Sequence, residues 1–184
     1  MKKQLLFTLI LPLVIFISSC NSKGGDKKSD KTTFSTAIEY NDFIVKLQEK
    51  TILKTLALGD VLKGGDSLAI HKSFNEFGDQ AKASLAELKK LDAFEGEVEL
   101  RDKALELFQF YVTIYEKDYK EMIDLVTKKD VNEKDLARVD AIVAKVSTEE
   151  LKYDAGFAAA QDAFAKKHNM TIIKNNLQNE IDKQ

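Results

Sequence analysis

Tryptophan is absent from this 184-residue chain, proline occurs once, at position 12, and cysteine once, at position 20. A lone thiol excludes an intrachain disulfide and any multi-cysteine zinc or iron–sulfur centre. Histidine occurs twice, as His71 and His168. The residues three places before them are Leu68 and Ala165, so the Glu-x-x-His pairs of di-iron helical bundles are missing. No Cys-x-x-Cys-His stands for covalent haem and no Gly-x-Ser-x-Gly for a hydrolase elbow. The formal net charge is −2, which supplies no basic field for nucleic acid. Turn residues are scarce too. Seven of the eight glycines precede residue 100, and no proline follows position 12, so the second half reads as helix.

What the sequence does have begins at its start. Lys2 and Lys3 form a basic region, and Leu5 to Ile17 form an apolar run of the length of a secretory leader. That run is shorter than the roughly 20 apolar residues a membrane-spanning helix needs. It ends in Ile17-Ser18-Ser19-Cys20. This string resembles the bacterial lipobox, an aliphatic residue and two small ones before cysteine. The resemblance implies acylation of the Cys20 thiol, with cleavage leaving Cys20 as the first mature residue. Residues 21–33, NSKGGDKKSDKTT, contain no apolar side chain and predict a flexible tether. Asn21 follows the cysteine. By resemblance to the lipoprotein sorting rule of Gram-negative bacteria, Asn21 implies the outer membrane, with the domain on the periplasmic face or at the cell surface. The expected organisation is a leader over 1–19, a lipidated cysteine and tether over 20–33, and a helical domain over 34–184.

Hydrophobic spacing within 34–184 predicts four helices. Thr36 and Glu39 have capping-box spacing, and Tyr40, Ile44, Leu47, Thr51, Leu58 and Leu62 form a face that ends at Gly64-Gly65. Asp66 is an N-cap residue ahead of Ile70, Phe74, Phe77, Ala81, Leu85, Leu88 and Leu91, with Gly78 inside this helix. Leu105, Phe108, Val112, Tyr115, Tyr119, Met122 and Val126 step as a heptad seam. Asn132 and Asp135 open the last long helix, which a second capping-box match at Ser147-Thr148-Glu149-Glu150 predicts to be kinked or split. Ile172, Ile173, Leu177 and Ile181 suggest a short terminal helix. The expected class is all-α: an antiparallel up-down four-helix bundle with that short helix in addition.

Candidate site residues fall in three groups. His71 could ligate haem or a metal, or lie solvated in its helix's first turn; His168 reads as a cation at a helix end. Tyr111, Tyr115 and Tyr119, with Phe108 and Phe110, could line a ligand pocket or fill the core. Carboxylates such as Glu149-Glu150 and Glu95 with Glu97 read as solvated faces. Tyr40-Asn41-Asp42 offers either packing and capping or a small polar recognition spot near the tether. The string Glu39-Tyr40-Asn41-Asp42-Phe43-Ile44-Val45, behind the lipobox and tether, resembles an uncharacterised family of surface lipoproteins of spirochaetes and Bacteroidetes. That resemblance implies an envelope location and no established activity. The expectation is a non-enzymatic interaction module without metal or cofactor, anchored to the membrane by its lipid and meeting an envelope or surface protein. The alternative is a lipoprotein that binds a small ligand, haem or metal and delivers it to a transporter.

Overall fold

A computed structural model describes residues 31–64 and 66–174, together with Ile15–Phe16. Cys20 and residues 175–184 lie outside the described residues. The helices are α1 (Ala37–Gly64), α2 (Ser67–Lys89), α3 (Glu99–Ile114), α4 (Lys120–Val126) and α5 (Glu133–Lys167). A π-helical segment, Tyr115–Tyr119, joins α3 to α4, so Glu99 to Val126 is one rod. The four rods form an antiparallel bundle in which α2 packs against α1 and α3, and α5 against the α3–α4 rod.

The helix starts follow their caps. The Thr36 hydroxyl accepts from the Glu39 N–H at 3.2 Å and donates to the Glu39 carboxylate at 3.0 Å. Asp66 accepts from the N–H groups of Leu68 and Ala69. Asn132 and Asp135 form a reciprocal capping box. Each side-chain oxygen satisfies N–H groups that the first turn leaves without a helical partner. The turn before α3 is a tight reversal: Phe94 and Glu97 exchange backbone hydrogen bonds across Glu95 and Gly96, whose φ angles are 49° and 82°. Only glycine adopts that conformation without steric cost, which accounts for Gly96. α5 ends at Asn169 (φ 53°), where the Met170 N–H returns to the Ala165 carbonyl.

Two expectations are corrected. α5 runs unbroken through Ser147, so the Ser-Thr-Glu-Glu string caps nothing. Its neighbours Val146 and Glu150 are both buried against the bundle, and that packing holds the helix straight through the string. No helix forms over 169–174; Ile173–Lys174 is instead extended and pairs antiparallel with Ile15–Phe16. The heptad seam is buried at Phe108, Val112, Tyr119 and Met122, and the buried surface is wider than the seam, with Leu100, Ala104, Leu107, Tyr111 and Ile114 also inside. The π segment keeps the two halves of the rod in phase. In regular α-helix, eight residues from Tyr111 to Tyr119 turn about 800°, leaving the two rings about 80° apart. A π turn absorbs one extra residue and brings them back to within about 20°, onto one face.

Close packing explains one glycine. A Cβ on Gly78 would overlap the ring of Tyr115, which sits over the α2 backbone between Phe74 and Phe77. The tether side is docked earlier than expected. Thr32 already exchanges backbone hydrogen bonds with Lys90 and Asp92, at 2.8 and 2.9 Å.

Candidate functional site

Tyr40, Asn41 and Asp42 lie at the end of the first turn and the start of the second turn of α1, and all three are buried. The Tyr40 ring packs between Phe34, Phe94 and Phe164. Burial pushes its phenol pKa up to about 12, and its hydroxyl has no hydrogen-bond partner. Asn41 accepts from the Gln161 amide at 2.8 Å, tying α1 to α5. A cleft of about 120 Å3 opens beside Tyr40, lined by Phe34, Asp92, Phe94 and Glu95. Around the corner, His168 lies between Phe94 and Phe164 with its Nε2 2.8 Å from Glu97, which also pairs with Lys167. The hydrogen bond from Lys167 holds the Glu97 pKa low. Among the described residues, Glu95, Glu97 and His168 form one group whose ligand-type atoms lie within 4.8 Å of each other.

The other sequence candidates separate. His71 is exposed on α2, whose buried face carries no His, Cys, Asp or Glu. Tyr115 faces α2, with Lys82 Nζ 4.8 Å from its ring centre. Tyr111 and Tyr119 are buried in the bundle interior, where the Tyr119 ring meets Phe77 of α2 at 5.8 Å. The aromatic group is therefore packed as core rather than lining a pocket.

A polar layer in the interior was not foreseen. Gln48 and Thr51 of α1, Ser84 of α2, Tyr111 of α3, and Glu150 and Asp154 of α5 are all buried. Asn41 bonds Gln161 between α1 and α5, and Phe110 stacks on Tyr153 between α3 and α5 at 4.7 Å. Tyr111 lies near enough to Asp154, Glu150 and Gln48 for all three to act on its phenol. Thr51 donates to Ser84 at 3.2 Å, and Ser84 in turn accepts from Gln80 at 2.9 Å.

Thr51 and Ser84 are hydrogen-bonded, whereas Gln48 Oε1, Tyr111 Oη and Asp154 Oδ2 are not. Neither Glu150 nor Asp154 makes an ion pair among the described residues. Burial raises the Glu150 pKa well above the carboxylate range, with the Asp154 charge adding to it, and burial pushes Asp154 up to about 8. The Tyr111 and Tyr119 phenols are likewise raised, first by burial and then by these carboxylates. Gln48 lies near enough to the Tyr111 hydroxyl to favour its ionised form, yet neither Gln48 Oε1 nor Tyr111 Oη closes a hydrogen bond, and Asp154 Oδ2 closes none either.

Glu150 therefore corrects the reading of Glu149-Glu150 as a solvated pair. The sequence held a signal: Val139, Val143, Val146, Glu150, Phe157 and Phe164 lie on one helical line, with a carboxylate in the seam. Compared with family models, with curated proteins and with solved structures, the chain finds no match.

Proposed function

We propose that this chain is a bacterial envelope lipoprotein: a non-enzymatic helical module held at the outer membrane by lipid on Cys20, offering its bundle to an envelope or surface protein. The observation that carries this reading is Ile17-Ser18-Ser19-Cys20 at the end of an apolar run, followed at once by residues without any apolar side chain. The start of the folded bundle at Thr32, a dozen residues beyond the cysteine, is consistent with a short leash. No helix among the described residues is long and apolar enough to cross a membrane, so attachment under this reading rests on the lipid. Two or more acyl chains hold a protein stably where one does not.

Replacing Cys20 with Ala tests the anchor. The wild-type chain partitions with membranes and incorporates labelled palmitate; the variant accumulates as unprocessed precursor or soluble protein. A processed Cys20→Ala chain that stays on the membrane would overturn the proposal. A second reading, a lipoprotein that binds a small ligand or metal for a transporter, is favoured by one observation, the unpartnered polar atoms of the interior layer. Metal analysis of the purified protein separates the two.

A further inference from the structure

We propose that the interior polar layer holds a binding site for one hard divalent cation of the calcium, magnesium or manganese class, formed by Glu150 and Asp154 of α5, Gln48 of α1 and Tyr111 of α3. This inference deepens the second reading by naming the ligand class and does not depend on the lipid anchor.

Four observations meet here. First, two carboxylates one helical turn apart on α5 are each about 3% exposed. A buried carboxylate is costly unless it is paired, protonated or bound to a metal. No basic side chain of the described residues pairs with either, although lysine and arginine fill the bundle's surface pairs, such as Lys145 with Asp118 and Arg138 with Glu121.

Second, the atoms left without partners are oxygens that accept. Gln48 Oε1 and Asp154 Oδ2 are acceptors, Tyr111 Oη can accept, and Gln48 and Tyr111 are themselves 2% and 3% exposed. A cation set between these oxygens would give each of them a partner at once. In the same layer, Thr51, Ser84 and Gln80 satisfy one another, so the deficit is local rather than a general looseness of the core.

Third, these groups meet from three helices: Tyr111 of α3 lies near enough to Gln48 of α1 and to Asp154 and Glu150 of α5 for all three to act on its phenol. Bundle interiors are where facing helices build metal sites. Fourth, the donor set is oxygen only, without imidazole or thiolate, which selects hard cations over zinc or copper. Two carboxylates and two neutral oxygens around a divalent ion leave the layer without net charge. The π segment that turns Tyr119 onto the same face as Tyr111 is a helix distortion that often accompanies functional sites.

The absence of tryptophan provides a clean readout, because tyrosine alone can sensitise a bound lanthanide. The full processed chain, stripped with chelator, is titrated with Tb3+ as a calcium surrogate. Tyrosine-sensitised emission is expected to saturate at one ion per chain, to fall at least fivefold in Tyr111→Phe, and to be displaced by Ca2+ or Mn2+. Equilibrium dialysis with Mn2+ is expected to give one tight site that weakens at least tenfold in Glu150→Gln and in Asp154→Asn. Cation at a hundredfold excess over its dissociation constant should raise the melting temperature by several degrees. Glu97→Gln, at the exposed Glu95–His168 group, should leave all of this unchanged.

The absence of stoichiometric binding by the wild-type chain would overturn the proposal without any variant having to fold. Binding that survives Asp154→Asn but is lost in Glu97→Gln would also overturn it, by moving the site to the bundle end. Normal membrane anchoring with no cation bound sinks this site and leaves the lipoprotein reading standing.

Discussion

Asp154 concentrates the residue-scale consequences. Its folded pKa of about 8 lies above the ordinary carboxylate value, so the folded chain keeps a proton that the unfolded chain releases. Its contribution is therefore fully present below about pH 4 and is lost as pH rises toward 8, by an amount on the order of a few kcal/mol. In chelator-treated protein, the melting temperature should fall from pH 5 to pH 8.5, and Asp154→Asn should flatten that slope; parallel curves for the two proteins would contradict the assignment. Asn41 gives a second case. Asn41→Leu strands the Gln161 amide inside the bundle and should cost about 1–3 kcal/mol by denaturant titration, whereas Asn41→Leu with Gln161→Leu should recover part of the loss. These residues were only half legible in the sequence. Asn41 and Tyr40 stood out because they open a helix, but Gln48 and Glu150 are residue types normally found at surfaces. Only the partner helix decides that their positions face inward, and the partner is fixed by packing rather than by local pattern.

At the scale of elements, the caps and apolar faces were readable because they depend on neighbours three and four residues away. Thr36, Asp66 and Asn132 all cap as their spacing suggests. The π turn of the third rod was not readable, since its sequence still fits a heptad, although Phe108 and Val112 of that seam are buried as their spacing implies. Deleting Lys117, an exposed residue of the π segment, would leave seven residues, about 700° of regular α-helix, from Tyr111 to Tyr119 and so keep Met122 and Ile123 facing the core. That deletion should lower the melting temperature no more than deletion of Lys129 in the exposed α4–α5 connection; a much larger loss would contradict the π reading. Gly78 tests the α2–α3 contact. On helix propensity alone Gly78→Ala should stabilise by about 1 kcal/mol. Overlap with Tyr115 reverses the sign, with an expected net cost of about 1–3 kcal/mol. In a Tyr115→Ala background the same change should become neutral or stabilising, a coupling that a double-mutant cycle reads directly.

The whole molecule joins a helical bundle to an N-terminal segment whose chemistry is written in four residues, Ile17-Ser18-Ser19-Cys20. The bundle class follows from four apolar faces linked by short turns, each of which forces an antiparallel neighbour. The interior layer does not follow from that class, because any bundle of this length could be filled with leucine. Its carboxylates weaken the fold at neutral pH unless they are protonated or neutralised by a ligand. Anchoring is the claim that places this bundle in a cell, and it rests on one thiol. Intact-mass measurement of the native protein extracted from membranes tests it most directly. The account predicts a chain that begins at Cys20 and carries the added mass of a diacylglyceryl group with or without a further acyl chain; a chain that retains residues 1–19, or one with an unmodified cysteine, would contradict it.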